Sequence, residues 1–129
     1  MPKEKVEKRE ERVEKWDDNA QQETYRAYQE LFDSLTDAYW VANTMQDKDY
    51  IKGLEDFVKG ILDQLNKGII HDRTKEFDDL AGSVNIINTR LEKAKEKIDQ
   101  IIQDVNVATA VAKGIDTVLN IGIKYFSKI

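Results

Sequence analysis

The sequence predicts an all-α fold, an antiparallel four-helix bundle with long, coiled-coil-like helices. An apolar stripe runs from Phe77 to Phe126 in alternating steps of three and four residues, which is the spacing of one helix face and of a coiled-coil seam. The only proline is Pro2, and charged residues make up 35% of the chain. Long helices with solvated outer faces explain both observations, because proline breaks helices and a typical globular domain is about one quarter charged.

Residues 1–18 are predicted to form a charged helical extension, and residues 19–129 the bundle domain. The segment 3–15 contains six cations and five anions, and its only apolar residues are Val6 and Val13. A helix that is polar on all sides has little to pack against, so we expect a solvated extension that frays. The alternative is a partner-binding arm that is anchored by Trp16.

The first bundle helix is predicted over residues 4–45, and the place where it ends is ambiguous. Ser34 and Thr36 could mark a break near residue 35, whereas Thr44 followed by Asp47 resembles a capping box before a helix that starts near 48. An apolar seam continues up to the second of these positions and favours the later break. It consists of Tyr28, Leu31, Leu35, Ala38, Ala42 and Met45.

The second helix is predicted over residues 48–67. Its apolar face repeats every 3.5 residues and consists of Ile51, Leu54, Val58, Ile61 and Leu65. The helix should end at Asn66-Lys67-Gly68, because glycine adopts the left-handed conformation that commonly follows a helix. Asp72 or Thr74 can then cap the next helix.

The opening stripe could form one helix of fifty residues or two shorter helices. One helix would be about 75 Å long, whereas a compact domain of this size is about 30–40 Å across. We therefore expect a break near 104–106, with Asp104 or Asn106 as the cap and helices over 72–104 and 106–127. The stripe consists of Phe77, Leu80, Val84, Ile87, Leu91, Ala94, Ile98, Ile101, Val105, Ala108, Ala112, Ile115, Leu119, Gly122 and Phe126.

The last helix is apolar over most of its circumference, which predicts burial on most sides. Small residues follow one line along it at multiples of four, and the second helix carries two glycines seven residues apart. Such residues let another backbone approach closely, so they are candidate helix-contact or interface positions together with Trp16. These small residues are Gly53, Gly60, Ala110, Gly114 and Gly122.

The sequence contains no pattern that predicts catalysis, a cofactor or a metal site. It has no cysteine and one histidine, His71, and no Glu-x-x-His motif of di-iron bundles occurs. No nucleophile or acid–base constellation can be assigned, so an enzyme is not expected. The net charge of −5 also disfavours nucleic-acid binding.

The leading functional hypothesis is therefore a non-enzymatic protein–protein interaction module, which binds a protein partner or forms a homo-oligomer. An alternative is a membrane-active bundle that releases the helix over 105–126 to bind or permeabilise a bilayer, since that helix is apolar and residues 105–129 carry a net charge of +2. A third class, an enzyme or a ligand-binding bundle, would need a pocket among the aromatic residues of 25–50. A cytoplasmic location is expected, because no signal-peptide pattern or cysteine is present.

Overall fold

A computed structural model describes residues 14–127, which form four helices. These are α1 (Asp18–Val41), α2 (Met45–Asn66), α3 (Lys75–Ile101) and α4 (Val105–Phe126). The predicted fold class, an all-α four-helix bundle, is confirmed. Most of the predicted N-terminal extension lies outside the described residues.

The four helices pack as neighbours around a shared core. α1 packs against α2 and α4, α4 also packs against α3, and the interface between α2 and α3 is the smallest of the four. The ends of α1 and α3 meet where Ala42 and Ile102 form an isolated antiparallel bridge. Because the connections are short, α2 and α4 return from this bridge end and run antiparallel to α1 and α3.

Each helix begins at a side chain that accepts hydrogen bonds from backbone N–H groups in the first turn, as expected for an N-cap. Thr44, Thr74 and Asp104 were candidate caps in the sequence and are confirmed. The cap of α1 is Asp17, so the prediction that helix already covers residues 14–17 is wrong. The cap pairs are Asp17 with Ala20, Thr44 with Asp47, Thr74 with Phe77, and Asp104 with Asn106 and Val107.

The break between α1 and α2 lies at residues 42–44, nearer to the later of the two predicted positions. Ala38 is fully buried, but Met45 is 71% exposed and does not continue the seam. The reason is that Thr44 starts a new helix, which turns the next residue away from the core. The α2 C-terminus agrees with the prediction: Gly68 follows it with a φ of 149°, in a region that glycine adopts without strain.

The stripe that starts at Phe77 is divided between two helices, α3 and α4, and does not form one helix of fifty residues. Its first half is buried in α3 from Leu80 to Ile101. In α4 the stripe marks only part of the buried face. Ala108, Ile115, Gly122 and Phe126 are buried as predicted, but Val105 is 75% exposed, and Val111 and Val118, which lie off the stripe, are fully buried. Val105 directly follows the cap Asp104 and lies at the exposed end of the helix, and the many apolar residues of α4 leave its buried face ambiguous in the sequence.

The expectation that α4 is buried on most sides is wrong. Beyond the polar residues, its exposed face includes Val105, Ala110 and Ile123, which are apolar or small. The physical reason is that α4 has two helix neighbours, α1 and α3, which leave an outer face in solvent. Small side chains therefore widen the apolar surface of α4 without requiring its burial.

A polar link crosses the core between three helices. The Tyr28 hydroxyl donates to Asn88 Oδ1 at 2.7 Å, and Asn88 Nδ2 donates to the Val118 carbonyl at 3.1 Å. Tyr28 is fully buried and Asn88 is 8% exposed, and burial raises the pKa of Tyr28. Buried polar groups that are hydrogen-bonded in this way avoid the cost of an unsatisfied donor or acceptor.

Candidate interaction surface

Trp16 lies inside the bundle at the end opposite the bridge. It is 2% exposed, and its ring centroid lies 5.2–5.7 Å from those of Phe77, Tyr125 and Phe126. Its Nε1 donates to the Ile70 carbonyl at 2.8 Å. The hypothesis of a partner-binding arm anchored by Trp16 is therefore wrong for this residue, because the side chain is already used to close the core.

Two of the predicted small residues mark close helix approaches within the chain. A Cβ added at Gly114 would lie 3.1 Å from Leu31 Cδ1, so this glycine faces α1. A Cβ added at Gly122 would lie 2.5 Å from Asn88 Nδ2, so this glycine faces α3. The two residues allow α4 to approach its two neighbours and are helix contacts.

The other three small residues have no such role among residues 14–127. A Cβ added at Gly53 or Gly60 would meet no heavy atom within 4 Å, and Ala110 is exposed. Tight packing inside the bundle is therefore the wrong interpretation of these positions. Their spacing resembled that of a contact line because α2 and α4 repeat small residues on outer as well as inner faces.

The described residues contain no group of three or more His, Cys, Asp or Glu residues that could hold a metal ion. His71 is exposed in the connection between α2 and α3. A groove of about 510 Å³ lies between α1 and α2, and Tyr25, Leu65 and Ile69 contribute to its wall. The aromatic residues of 25–50 do not gather around this groove: Tyr28 is in the core and Trp40 is 73% exposed.

None of the four described helices combines the length and the hydrophobicity required of a bilayer span.

A hydrogen-bonded cluster joins the end of α4 to the start of α1. The Tyr125 hydroxyl donates to Glu23 Oε1 at 2.5 Å, and Lys124 Nζ lies 3.2 Å from Glu23 Oε2. The bond from Tyr125, reinforced by Lys124, holds the pKa of Glu23 below its usual value of 4.5. Burial and the bond to Glu23 raise the pKa of Tyr125. The three groups satisfy one another, so the cluster ties the two helices together.

We expect this cluster to make stability depend on pH in the acid range. Because the pKa of Glu23 is lowered by folding, its stabilisation is complete above the unfolded pKa near 4.5 and is lost as the pH falls through the folded pKa. Glu23→Gln should therefore lower the free energy of unfolding near neutral pH, by no more than about 1 kcal/mol because the carboxylate is partly exposed. Urea unfolding across the acid range should show this difference shrinking below the unfolded pKa; a constant difference would contradict the assignment.

Large apolar side chains are exposed together at the bridge end of the bundle. Trp40 is 73% exposed, Met45 71%, Val105 75% and Val41 39%. All four lie within three residues of the bridge between Ala42 and Ile102. We call these four residues the apolar end. Single exposed apolar residues are common on proteins, but a group of them is typical of a contact surface.

Five aspartates lie within four residues of the helix termini at this end, and we call them the acidic rim. They are Asp37, Asp47, Asp49, Asp99 and Asp104. Within the described part of the chain, none of them forms an ion pair. Since only two lysines, Lys48 and Lys97, lie in the same region, an excess of negative charge is expected around the exposed apolar side chains.

The two lysines of the same region are engaged with other groups. Lys48 Nζ donates to the Tyr39 carbonyl at 2.7 Å and also lies 5.1 Å from the centroid of the Tyr39 ring. Lys97 Nζ lies 5.7 Å from the centroid of the Tyr50 ring. Neither ammonium group lies in an ion pair with the acidic rim.

The apolar end was missed by reasoning from the sequence because Met45 and Val105 continued the predicted seams. A signal was nevertheless present. Each of the two residues directly follows an N-cap, Thr44 or Asp104, and thus opens a helix at the same end of the bundle. The seam pattern places such a residue in the core only if the preceding helix continues without a break.

Comparisons of the chain with protein-family models, curated proteins and solved structures returned no match.

Proposed function

We propose that this protein is a non-enzymatic helical module that associates with other protein chains, a second copy included, through the apolar end. The observation that carries the proposal is the grouping of Trp40, Met45 and Val105, each more than 70% exposed, at one end of the bundle. Exposing such side chains to water is unfavourable, and covering them would gain about 25 cal/mol for each Å² of apolar surface. A cytoplasmic site of action is part of the proposal and is supported by the cysteine-free composition.

The size of the apolar end argues for a weak or transient contact. A standard stable interface uses about 20–30 residues from each partner, whereas the apolar end contains four residues with five aspartates around them. Trp40 is the natural centre of the contact, because tryptophan is strongly enriched among the residues that dominate binding energy. Its ring already packs edge-on against Tyr39, with a centroid distance of 5.3 Å.

Self-association is the form of this proposal that can be measured without knowing another partner. We expect the average mass from light scattering to rise with protein concentration, and to rise further with salt as the acidic rims of two copies are screened. The double variant Trp40→Ser, Met45→Ser should need at least about tenfold more protein for the same degree of association, because most of the apolar contact is removed.

A matched control removes equally exposed apolar side chains from the sides of the bundle. Ile86 and Ile123 are 62% and 63% exposed, and the double variant Ile86→Ser, Ile123→Ser should associate like the parent. A parent that stays monomeric at every concentration and salt would contradict self-association. Equal loss of association in both double variants would place the contact elsewhere.

The alternative function, release of the 105–126 helix to a bilayer, stays a proposal with less support. α4 supplies fully buried Val111, Ile115 and Val118 to the core, and its release would break the bond between Asn88 and Val118. The cost of exposing these groups would have to be recovered in the membrane. Liposome dye release tests the idea, and the absence of both leakage and co-flotation would remove it.

A further inference from the structure

We propose that the preferred occupant of the apolar end is a cationic amphipathic segment of another protein, with an apolar face for Trp40 and Met45 and lysine or arginine beside it. This inference rests on the proposed function, because it takes the apolar end to be the contact surface. It adds to the proposed function the chemical character of the partner. That chemistry follows from the charge of the acidic rim, which the apolar side chains alone would not predict.

The charge of the bridge end is complementary to that of a cationic segment. The five carboxylates of the acidic rim have no ion pair within residues 14–127, and Lys48 and Lys97 are engaged by Tyr39 and Tyr50. The five aspartates outnumber the two lysines of this region, so the bridge end carries an excess of negative charge. Apolar surface and excess negative charge therefore coincide there, and a partner with the opposite charge pattern fits it.

Two competing occupants of the apolar end fit its charge less well. A second copy of the chain would bring its own acidic rim, and like charges placed opposite each other oppose association. An anionic membrane surface would be repelled for the same reason. A short cationic segment avoids both problems, and its size also suits a surface of four apolar residues better than a whole folded domain would.

The roles of the individual aspartates guide the choice of variants. Asp104 caps α4, and Asp47 lies in the first turn of α2, so replacing either would also disturb a helix terminus. Asp37, Asp49 and Asp99 are exposed and take no part in capping. The triple variant Asp37→Asn, Asp49→Asn, Asp99→Asn therefore removes charge from the rim with little expected effect on folding, which circular dichroism and urea unfolding can verify.

The control variant removes the same amount of charge from other parts of the bundle. Glu30, Asp63 and Glu92 are exposed and lie in no ion pair within the described residues. The triple variant Glu30→Gln, Asp63→Asn, Glu92→Gln has the same net charge as the rim variant. Comparing the two separates the effect of the rim from that of overall acidity.

The experiment uses fluorescence anisotropy with the full chain and two labelled model peptides about five helical turns long. One peptide has leucine on one face and lysine on the other, and the second has glutamate in place of lysine. We expect the lysine peptide to bind at least about tenfold more tightly than the glutamate peptide and to weaken with salt. The rim variant should lose about tenfold in affinity for the lysine peptide, while the charge-matched control binds like the parent.

Several outcomes would overturn the inference, and they separate it from the proposed function. Equal binding of both peptides, with loss in the Trp40→Ser, Met45→Ser variant, would leave an apolar contact surface without charge selection. Equal weakening by the rim and control variants would show that binding follows net charge alone. No effect of the Trp40→Ser, Met45→Ser variant would overturn the proposed function as well. Binding to phosphatidylcholine vesicles that depends on Trp40 and Met45 and outcompetes the peptide would assign the end to membranes instead.

Discussion

Replacing Ile98 by aspartate is expected to unfold the domain. Ile98 lies on the core face of α3 and is 5% exposed. An unpaired carboxylate at this position would either be buried as a charge or bind a proton at a cost, and either result destabilises the folded state by several kcal/mol. Because small domains are stable by only about 5–15 kcal/mol, a loss of this size removes a large part of the folded population.

The matched control for this prediction lies on the same helix. Ile86 is 62% exposed, so Ile86→Asp makes the same chemical change on the solvent face and should leave the free energy of unfolding within about 0.5 kcal/mol of the parent. Circular dichroism and urea unfolding measure both variants. A folded Ile98→Asp variant of unchanged stability would show that the core face of α3 is assigned incorrectly.

Adding a single methyl group should have opposite effects at different glycines of the bundle. At Gly122 the new Cβ would lie 2.5 Å from Asn88 Nδ2, so the Asn88 side chain must move. It cannot do so without disturbing its bonds to Tyr28 and Val118. We expect Gly122→Ala to lower the free energy of unfolding by about 1–3 kcal/mol, the cost of buried polar groups left unsatisfied.

Replacing a glycine of α2 by alanine should instead stabilise the protein. A Cβ at Gly53 or Gly60 would meet no heavy atom within 4 Å, and alanine favours the helix over glycine by about 0.5–1 kcal/mol. Urea unfolding of Gly53→Ala, Gly60→Ala and Gly122→Ala measures the three changes under identical conditions. A stabilising Gly122→Ala would contradict the close approach of α3 and α4, and a destabilising Gly53→Ala would reveal a contact at that position.

Much of the fold could be predicted from the sequence because its signals are local. The caps at Thr44, Thr74 and Asp104 depend on a side chain and a backbone group two or three residues away. The buried face of α3 follows from the spacing of apolar residues in a helix whose other faces are charged. Both kinds of information are present within a few turns of chain.

The features that could not be predicted depend on residues distant in sequence. Trp16 is apolar and flanked by charges, and its burial becomes evident only when Phe77 and Phe126 are brought beside it. In α4, apolar residues occupy nearly every rotational position, so the pattern could not select Val111 and Val118 over Val105. The apolar end was missed for a related reason, since it combines residues from three helices.

The hydrogen bond between Tyr28 and Asn88 also affects how α1 and α3 are aligned along their axes. Apolar seams that repeat every seven residues can slide by one repeat and still bury similar side chains, so they define register weakly. Shifting α3 by one repeat would place Ala81 or Lys95 where Asn88 stands. Neither residue can offer an amide oxygen to the buried Tyr28 hydroxyl. One hydrogen-bonded side chain thereby distinguishes the native alignment of these helices from its near neighbours.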